Sequence, residues 1–491
     1  MSTKKPSRAS GVSIEHSLLL TATLCLLAFG VVMVFSASST TSLLGESGDS
    51  AFYLKRTLIF GAIGLVVMHL LARRGVKALR PMTPLILIGA FFLCVVVMVP
   101  GVGVEVNGSR AWLAAGPLQI QPSEVMKIAL ILFCAQMLAN RPKLLAGGIG
   151  PMVPVLAVVG LGVLVVGVGD LGTALVTCLA VAALLIGAGA RLRDIGLLAA
   201  AAAGVVLLAV LIEPYRVARI TSFLDPGGDP GGAGFQLIQA KIALGSGGLF
   251  GVGLGESLQK AFYLPEAHTD MIAAVVGEEL GMVGIGALVG LYGLFGYAGF
   301  RIAQSARDRY GKLLAAGLTS LVLVQALVNL LAVFGLAPLT GVPLPFVSYG
   351  NASMLVKLAA VGLLLNIARG GSAGSAAKPS SADGRLRVVD GGRARGSGAR
   401  RAPARSSAAS GRSAKGRDRG RGNRGARRAG AGRRRRAQGC GHRGLVHRRG
   451  GPGRGRGRAS SRLVRPRWRS ASLSTNGRPS RSAANPAGPA T

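Results

Sequence analysis

Leu264-Pro265-Glu266-Ala267-His268-Thr269-Asp270 runs straight into Met271-Ile272-Ala273-Ala274-Val275-Val276. The first seven residues carry two carboxylates and an imidazole, and the next six are all apolar. They close a polar interruption over residues 213–270, which opens with Glu213-Pro214-Tyr215-Arg216-Val217-Ala218-Arg219 and also holds Lys241 and the glycines of 245–255. Apolar runs flank the interruption on both sides. A polar stretch anchored at each end in membrane is where water-soluble chemistry can meet a lipid-borne substrate.

The chain as a whole supports that frame. Half of its 491 residues are hydrophobic, and the mean hydropathy is +0.48, too apolar for a soluble protein of ordinary charge content. The net charge of +38 is unevenly spread. Residues 371–491 hold 32 of the 57 Lys and Arg and 3 of the 19 Asp and Glu, so the tail carries about +29 and the first 370 residues about +9. Cys25, Cys94, Cys134 and Cys178 lie in apolar runs and Cys440 in the tail, with no disulfide or metal-knuckle spacing. They read as small packing residues.

Runs of spanning length fall at 17–37, 57–72, 82–100, 124–139, 152–168, 171–190, 195–212, 271–299, 313–335 and 352–368. The expected fold is therefore an all-α integral membrane protein of about ten transmembrane helices. A cytoplasmic segment 1–16 precedes a polytopic domain over 17–369, and an Arg/Gly/Ala-rich segment over 370–491 follows it. Only a short turn near Asp170 separates the fifth and sixth runs, so nine spans or a re-entrant segment also fit. The run at 271–299 is long enough to tilt or kink. A cleavable signal peptide is the competing reading of the first run, which is longer than a usual signal core.

Loop charges give the orientation. Arg73, Arg74, Lys77 and Arg80, then Arg141 and Lys143, then Arg191 and Arg193, then Arg301, Arg307, Arg309 and Lys312 occupy one set of short loops, hence the cytoplasmic set. Both termini join it. The outward set is 38–56, 101–123, the turn near 170, 213–270 and 336–351. The tail lacks apolar periodicity and cannot fold alone. It suits anionic headgroups or an acidic partner, and beside so many spans RNA is not the expected partner. A frame-shifted translation of GC-rich DNA would also look like Arg433 to Arg436 and the Gly/Arg repeats after them.

Several polar groups at the outer span ends need an explanation. Gln121-Pro122-Ser123-Glu124-Val125-Met126-Lys127 starts a span, and Glu124 and Lys127 share one face of its first turn. They form either an ion pair anchoring that turn or, through Lys127 with Arg110, a phosphate grip. Asp170 caps the sixth span or lines a site. The glycines of 245–255 follow no strand, so they read as close backbone packing or a re-entrant turn rather than a nucleotide loop. Glu266, Thr269 and Asp270 fall on one side of a turn opened by Pro265. Asp270 enters the apolar span directly. Desolvation there raises its pKa and a nearby cation lowers it again, which makes it a candidate general base. Glu266 and His268 beside it are candidate substrate contacts. Glu278 and Glu279, two turns further in, must face a bundle interior or cavity.

These motifs, in this order, resemble the SEDS family (shape, elongation, division and sporulation proteins). The likeness spans about residues 15–369. It rests on Tyr53-Leu54-Lys55-Arg56, Gln121-Pro122-Ser123-Glu124 with Lys127, Asp170-Leu171-Gly172-Thr173 and Phe223-Leu224-Asp225-Pro226. It continues through Gly245-Ser246-Gly247-Gly248-Leu249, Leu264 to Asp270, Gly277-Glu278-Glu279-Leu280-Gly281 and Pro343-Leu344-Pro345-Phe346. The Pro-Glu-Ala-His-Thr-Asp form leans to the division branch. Two departures are Asn351-Ala352-Ser353, where the family usually has Gly and two Ser, and Phe262, where division members often carry Glu.

The resemblance implies ten spans in the bacterial cytoplasmic membrane, both ends cytoplasmic. It implies a peptidoglycan glycosyltransferase that polymerises lipid II into glycan strands during septal wall synthesis, with a class B penicillin-binding protein and other divisome proteins as partners. It maps the family's essential aspartate onto Asp270, and its conserved arginine, glutamate and lysine of the third outer loop onto Arg110, Glu124 and Lys127. On that reaction Arg110 and Lys127, with Arg216, Arg219 or Lys241, stabilise the pyrophosphate. Mg²⁺ or Mn²⁺ could share the task, although no acidic cluster specifies a metal site. A lipid II flippase and a non-enzymatic divisome scaffold are the alternatives. Transport predicts ionisable groups on both sides of the membrane; polymerisation predicts them clustered outside.

Overall fold

A computed structural model describes residues 14–370, apart from 46–47, 107–108, 116–117, 213, 229, 233 and 262. All of these lie within one compact unit, Met1–Val388. The N-terminal segment 1–13 and the basic segment from 371, expected to be unable to fold alone, lie outside the described residues.

The described residues are mostly helical. Helices α1 (Ile14–Leu44) and α2 (Phe52–Val96) come first, then a meander of β1 (Gly103–Val106), β2 (Ser109–Ala115) and β3 (Leu118–Ile120). Next are α3 (Pro122–Asn140), the single turn α4 (Lys143–Ala146), α5 (Ile149–Gly169), α6 (Leu171–Ala188) and α7 (Leu192–Ile212). The 213–270 region holds α8 (Pro214–Leu224) and α9 (Phe235–Ser246), and the chain finishes with α10 (Ile272–Ser305), α11 (Arg309–Val333) and α12 (Asn351–Ala368). Among the described residues eight helices are long and apolar enough to cross a membrane: α1, α2, α3, α5, α6, α10, α11 and α12. The expected span 195–212 lies on α7, a helix of 21 residues. Thus the ten expected runs fall on nine helices, because α2 carries two of them.

That is the main correction to the sequence reading. Arg73, Arg74, Lys77 and Arg80, expected in a loop, are helical. A straight helix of 45 residues would be about 68 Å long, more than twice a hydrocarbon core of about 30 Å. The helix instead folds back. Near one end, Tyr53 packs 4.4 Å from His268 and 4.8 Å from Tyr349, ring centre to ring centre. Near the other, Cys94 and the following Val97 line a small cavity with Arg110, Ser123 and Asp170. Both ends therefore lie at the same end of the bundle as Asp270. The middle lies opposite, where Arg80 donates to Asn140 Oδ1 at 3.2 Å and sits 3.8 Å from Asp308. Pro81 and Pro84 inside the helix each remove one i→i−4 hydrogen bond, which permits the bend.

Two expected outer loops contain regular structure among their described residues. Residues 101–123 include the antiparallel order β1-β2-β3, with a register shift between Val104 and Glu105. The 213–270 region packs α9 against α10. Its glycines explain a break in α10, where Gly281 has φ 64° and ψ −159°. Residues 248–253 lie so close that their backbone replaces the helix's own partners. Val252 and Gly253 donate to the carbonyls of Glu278 and Glu279 at 3.0 and 3.1 Å, and Met282 and Val283 donate to Gly248 and Leu249 at 3.0 and 3.2 Å. A Cβ at Gly251 would stand 2.1 Å from the Glu279 carbonyl oxygen. These glycines serve close backbone packing.

Candidate active site

Asp270 sits two residues before α10, 9 % exposed. The turn leading to it is built on Glu266, whose φ of 56° is rare for a non-glycine residue. The Glu266 carbonyl accepts from the backbone of Thr269 at 3.1 Å and Met271 at 3.2 Å. Thr269 Oγ1 then donates to Glu266 Oε2 at 2.7 Å and lies 3.4 Å from Asp270 Oδ1. The three residues expected on one side of the turn do come together. Asn329 on α11 fixes the other side of Asp270, donating to its backbone carbonyl at 2.7 Å and to that of Val342 at 2.8 Å. Burial, then the Glu266 charge, push the Asp270 carboxyl up to about 7, against the pull of Arg219. A carboxyl so poised takes and returns a proton near neutral pH.

Arg219 approaches across a gap. A Cβ placed on Gly341 (φ 68°) would lie 3.7 Å from Arg219 Nη1 and 3.9 Å from Asp270 Oδ2. Glycine thus leaves open the space between the acid and the guanidinium, which also donates to the Leu339 carbonyl at 3.3 Å. Arg216, one turn earlier, reaches away to the carbonyl of Val168 at 3.0 Å, at the C-terminal end of α5. Lys241 is exposed on α9, its stem beside Gly335. His268 packs against Tyr53 and Tyr349, and burial pulls its imidazole below the usual range. So Arg219, Glu266 and His268 gather at Asp270, while Arg216 and Lys241 lie further out.

Arg110 and Lys127 have different partners. Arg110 is on the exposed hairpin, 3.0 Å from Glu105. Lys127 is 1 % exposed, its ammonium 2.9 Å from Glu124 Oε1 and 3.0 Å from Gln325 Oε1. Glu124 also receives Ser353 at 3.1 Å and Lys357 at 3.5 Å, and Lys357 in turn donates to Ser353. In this arrangement Lys127 ties α3 to α11 and anchors the first turn of its span. Asp170 accepts from Thr173 N at 2.9 Å, Thr173 Oγ1 at 2.6 Å and Gln121 at 3.2 Å, and caps α6.

Residues 16–372 match the cell cycle protein family that groups FtsW, RodA and SpoVE. The chain belongs to this family. Its relatives include stage V sporulation protein E of Bacillus subtilis (strain 168), 41 % identical over 75 % of this chain and 99 % of that one. Another is a protein of Trichlorobacter lovleyi named as a probable peptidoglycan glycosyltransferase FtsW, 40 % identical over 75 % of this chain and 96 % of its own. Among solved structures, a chain of a peptidoglycan synthase complex that coordinates polymerization and crosslinking is similar, with TM-score 0.58 and 32 % identity, over 72 % of this chain and 96 % of that one.

Within this family member a second buried ionic group supports the site from below. Glu279 is fully buried, 2.9 Å from Lys260, and accepts from Ser36 Oγ of α1 at 2.7 and 2.6 Å. Glu278 accepts from Ser257 Oγ at 2.5 Å and the backbone of Leu258 at 3.1 Å. The two acids face the interior, as expected, and clamp the 247–261 segment to α10 and α1. Sequence reasoning missed Lys260, Lys357, Ser36 and Ser353 as members of these groups. A lysine inside the apolar run 352–368 was itself the available signal, since a charge there must have a partner. No group of three or more His, Cys, Asp or Glu that could hold a metal ion is found among the described residues. The donor set at Asp270 therefore does not make a protein cage for Mg²⁺ or Mn²⁺.

Proposed function

We propose that the chain is a peptidoglycan glycosyltransferase that polymerises lipid II at the outer face of the bacterial cytoplasmic membrane, with Asp270 as its base. The buried, near-neutral carboxyl of Asp270 facing Arg219 across Gly341 carries the reading. Asp270 takes the proton of the acceptor N-acetylglucosamine 4-hydroxyl. The oxygen attacks C1 of the donor N-acetylmuramic acid, the C1–O bond to pyrophosphate breaks with inversion, and its electron pair leaves on the pyrophosphate oxygen. That leaving group needs cations rather than an acid, so one carboxylate suffices. Arg219 is the nearest named cation; Arg216, Lys241 and Arg110 are further candidates around the same end. Glu266 and His268 position the turn and the acceptor. Mg²⁺ or Mn²⁺ would be carried mainly by water and substrate oxygens.

The positions of the buried charges favour polymerisation over transport. Glu124, Lys127, Lys357, Glu278 and Glu279 all lie in the first two turns or so of their helices at the Asp270 end, and each is tied to a protein partner. Septal location, cytoplasmic termini and a class B penicillin-binding protein as crosslinking partner complete the proposal. Lipid II polymerisation by the purified full-length protein with that partner tests it, wild type against Asp270→Asn. A positioned base contributes roughly 10²–10⁴-fold, so glycan synthesis should fall within that range. Near-normal synthesis by well-expressed Asp270→Asn would remove Asp270 as the base and reopen the flippase reading.

A further inference from the structure

The opposite, basic end of the bundle holds a cavity of about 290 Å³, lined by Gly148, Ile149, Arg191, Arg193, Asp194 and Leu197. The turn between α4 and α5 forms one wall and the turn between α6 and α7 the other. The lining holds two arginines and one aspartate, a formal charge of +1. A Cβ on Gly148 (φ 78°) would meet Asp194 Oδ2 at 3.6 Å and Arg191 Nη1 at 3.7 Å, so the charged groups reach the Gly148 wall itself. The α5 end has no side-chain cap, and its first N–H groups add to the positive field. Below the charged rim the surface turns apolar: Leu192 is 73 % and Leu197 61 % exposed on α7. A phosphate in the rim with a hydrocarbon chain running down past Leu197 satisfies both parts; a free anion satisfies only the first.

We propose that this cavity binds the phosphodiester headgroup of an anionic phospholipid, with Arg191 and Arg193 on the phosphate and the acyl chain along Leu197. Guanidinium groups match phosphate oxygens with paired hydrogen bonds, and a headgroup at the membrane boundary keeps its chains in lipid. The proposal requires only that the chain crosses a membrane; it is independent of glycosyl transfer.

Native mass spectrometry of the full-length protein from neutral detergent, with phosphatidylglycerol and phosphatidylcholine offered together, tests it. Wild type should retain phosphatidylglycerol preferentially, and Arg191→Gln with Arg193→Gln should lower that preference about tenfold, the scale of a lost charge-assisted hydrogen bond. Leu197→Trp keeps both arginines but fills the cavity, and it should also lose the lipid. It decides the matter if the double variant fails to fold. An unchanged preference in Leu197→Trp and in a folded double variant would overturn the site. Displacement of phosphatidylglycerol by an equal concentration of inorganic phosphate would overturn the lipid assignment, leaving an anion site; retention supports the lipid. None of these readings uses glycan synthesis.

Discussion

The side-chain amide of Asn329 holds the backbone carbonyl of Asp270 at 2.7 Å. The same amide holds the Val342 carbonyl at 2.8 Å, so one residue of α11 joins the acid's turn to the loop that carries Gly341. Asn329→Ala should leave the carboxyl chemically intact but let its turn drift. Small misplacements of catalytic groups cost up to about 10²-fold. The expected result is a kcat loss of that order with little change in lipid II binding, measured by single-turnover polymerisation and substrate binding. Unaltered kcat would show that the turn holds itself.

The second prediction concerns pH. As the proposed base, Asp270 works deprotonated, and burial with the Glu266 charge pushes its carboxyl up to about 7. Polymerisation should therefore rise with pH through about 7 and level above it. Arg219 opposes the upward shift, so Arg219→Gln should move the rising limb to higher pH, and Glu266→Gln should move it lower. The same linkage has a stability consequence. A carboxyl with a raised folded pKa favours the folded state most below its unfolded value of 3.8, and that contribution is lost as pH rises through about 7. A flat pH–rate profile from 6 to 8 would contradict the assignment.

The buried Glu124 group gives a third test. Glu124→Ala strands Lys127 and Lys357 in the interior without their carboxylate. Leaving a buried charge unpaired costs about 3–5 kcal/mol, read as a large fall in thermal stability in detergent. Lys357→Met removes one of two cations and fills a similar volume, so it should be far milder. Equal effects of the two substitutions would mean that packing rather than charge sets their cost.

Gly281 provides a fourth. A Cβ there would lie 2.4 Å from the Gly251 nitrogen and 2.6 Å from the Leu249 carbonyl oxygen, at φ 64°. Gly281→Ala meets backbone that cannot swing aside. Overpacking of this kind costs about 1–3 kcal/mol, and about 1–3 kcal/mol more comes from a backbone conformation, φ 64° and ψ −159°, that is essentially reserved for glycine. Lower thermal stability should accompany protease sensitivity in residues 247–261. Gly286, with open space around its Cβ position, is the control; Gly286→Ala should be nearly silent.

The last is topological. Tags after residue 240 should be accessible only from outside the cell, and tags after residue 305 only from inside. The reverse pattern would overturn the orientation drawn from the loop charges.

Much of this architecture was visible in the chain itself. Apolar runs of spanning length are long signals, and each of the ten maps onto a helix. Asp270 was visible because a carboxylate at the mouth of an apolar run has few bland explanations. The α2 bend was not. Arg73-Arg74-Gly75-Val76-Lys77-Ala78-Leu79-Arg80 is charged like a loop, yet Arg, Lys, Ala and Leu are good helix formers, and two prolines permit a bend as readily as a break. Arg110 and Lys127 read together as outer-side cations fit to hold a phosphate; the ion pair of Arg110 with Glu105, across the hairpin, is not legible in that reading. Lys357 lies 233 residues from Glu124, a separation across which a single sequence offers no pairing rule.

The bend in α2 also bears on how the protein is made. A flexible loop would let the two limbs enter the membrane one after the other. A continuous helix with Arg73, Arg74, Lys77 and Arg80 at its apex has no slack between its limbs, and those four cations resist crossing to the far side. The limbs should then leave the insertion machinery as a preassembled hairpin, apex retained. Asn366 of α12 donates to the Ala72 carbonyl in the first limb at 2.9 Å, so the last span to be synthesised completes the packing of that early hairpin. The limb from Phe52 therefore meets its α12 neighbour only after the intervening helices have been made.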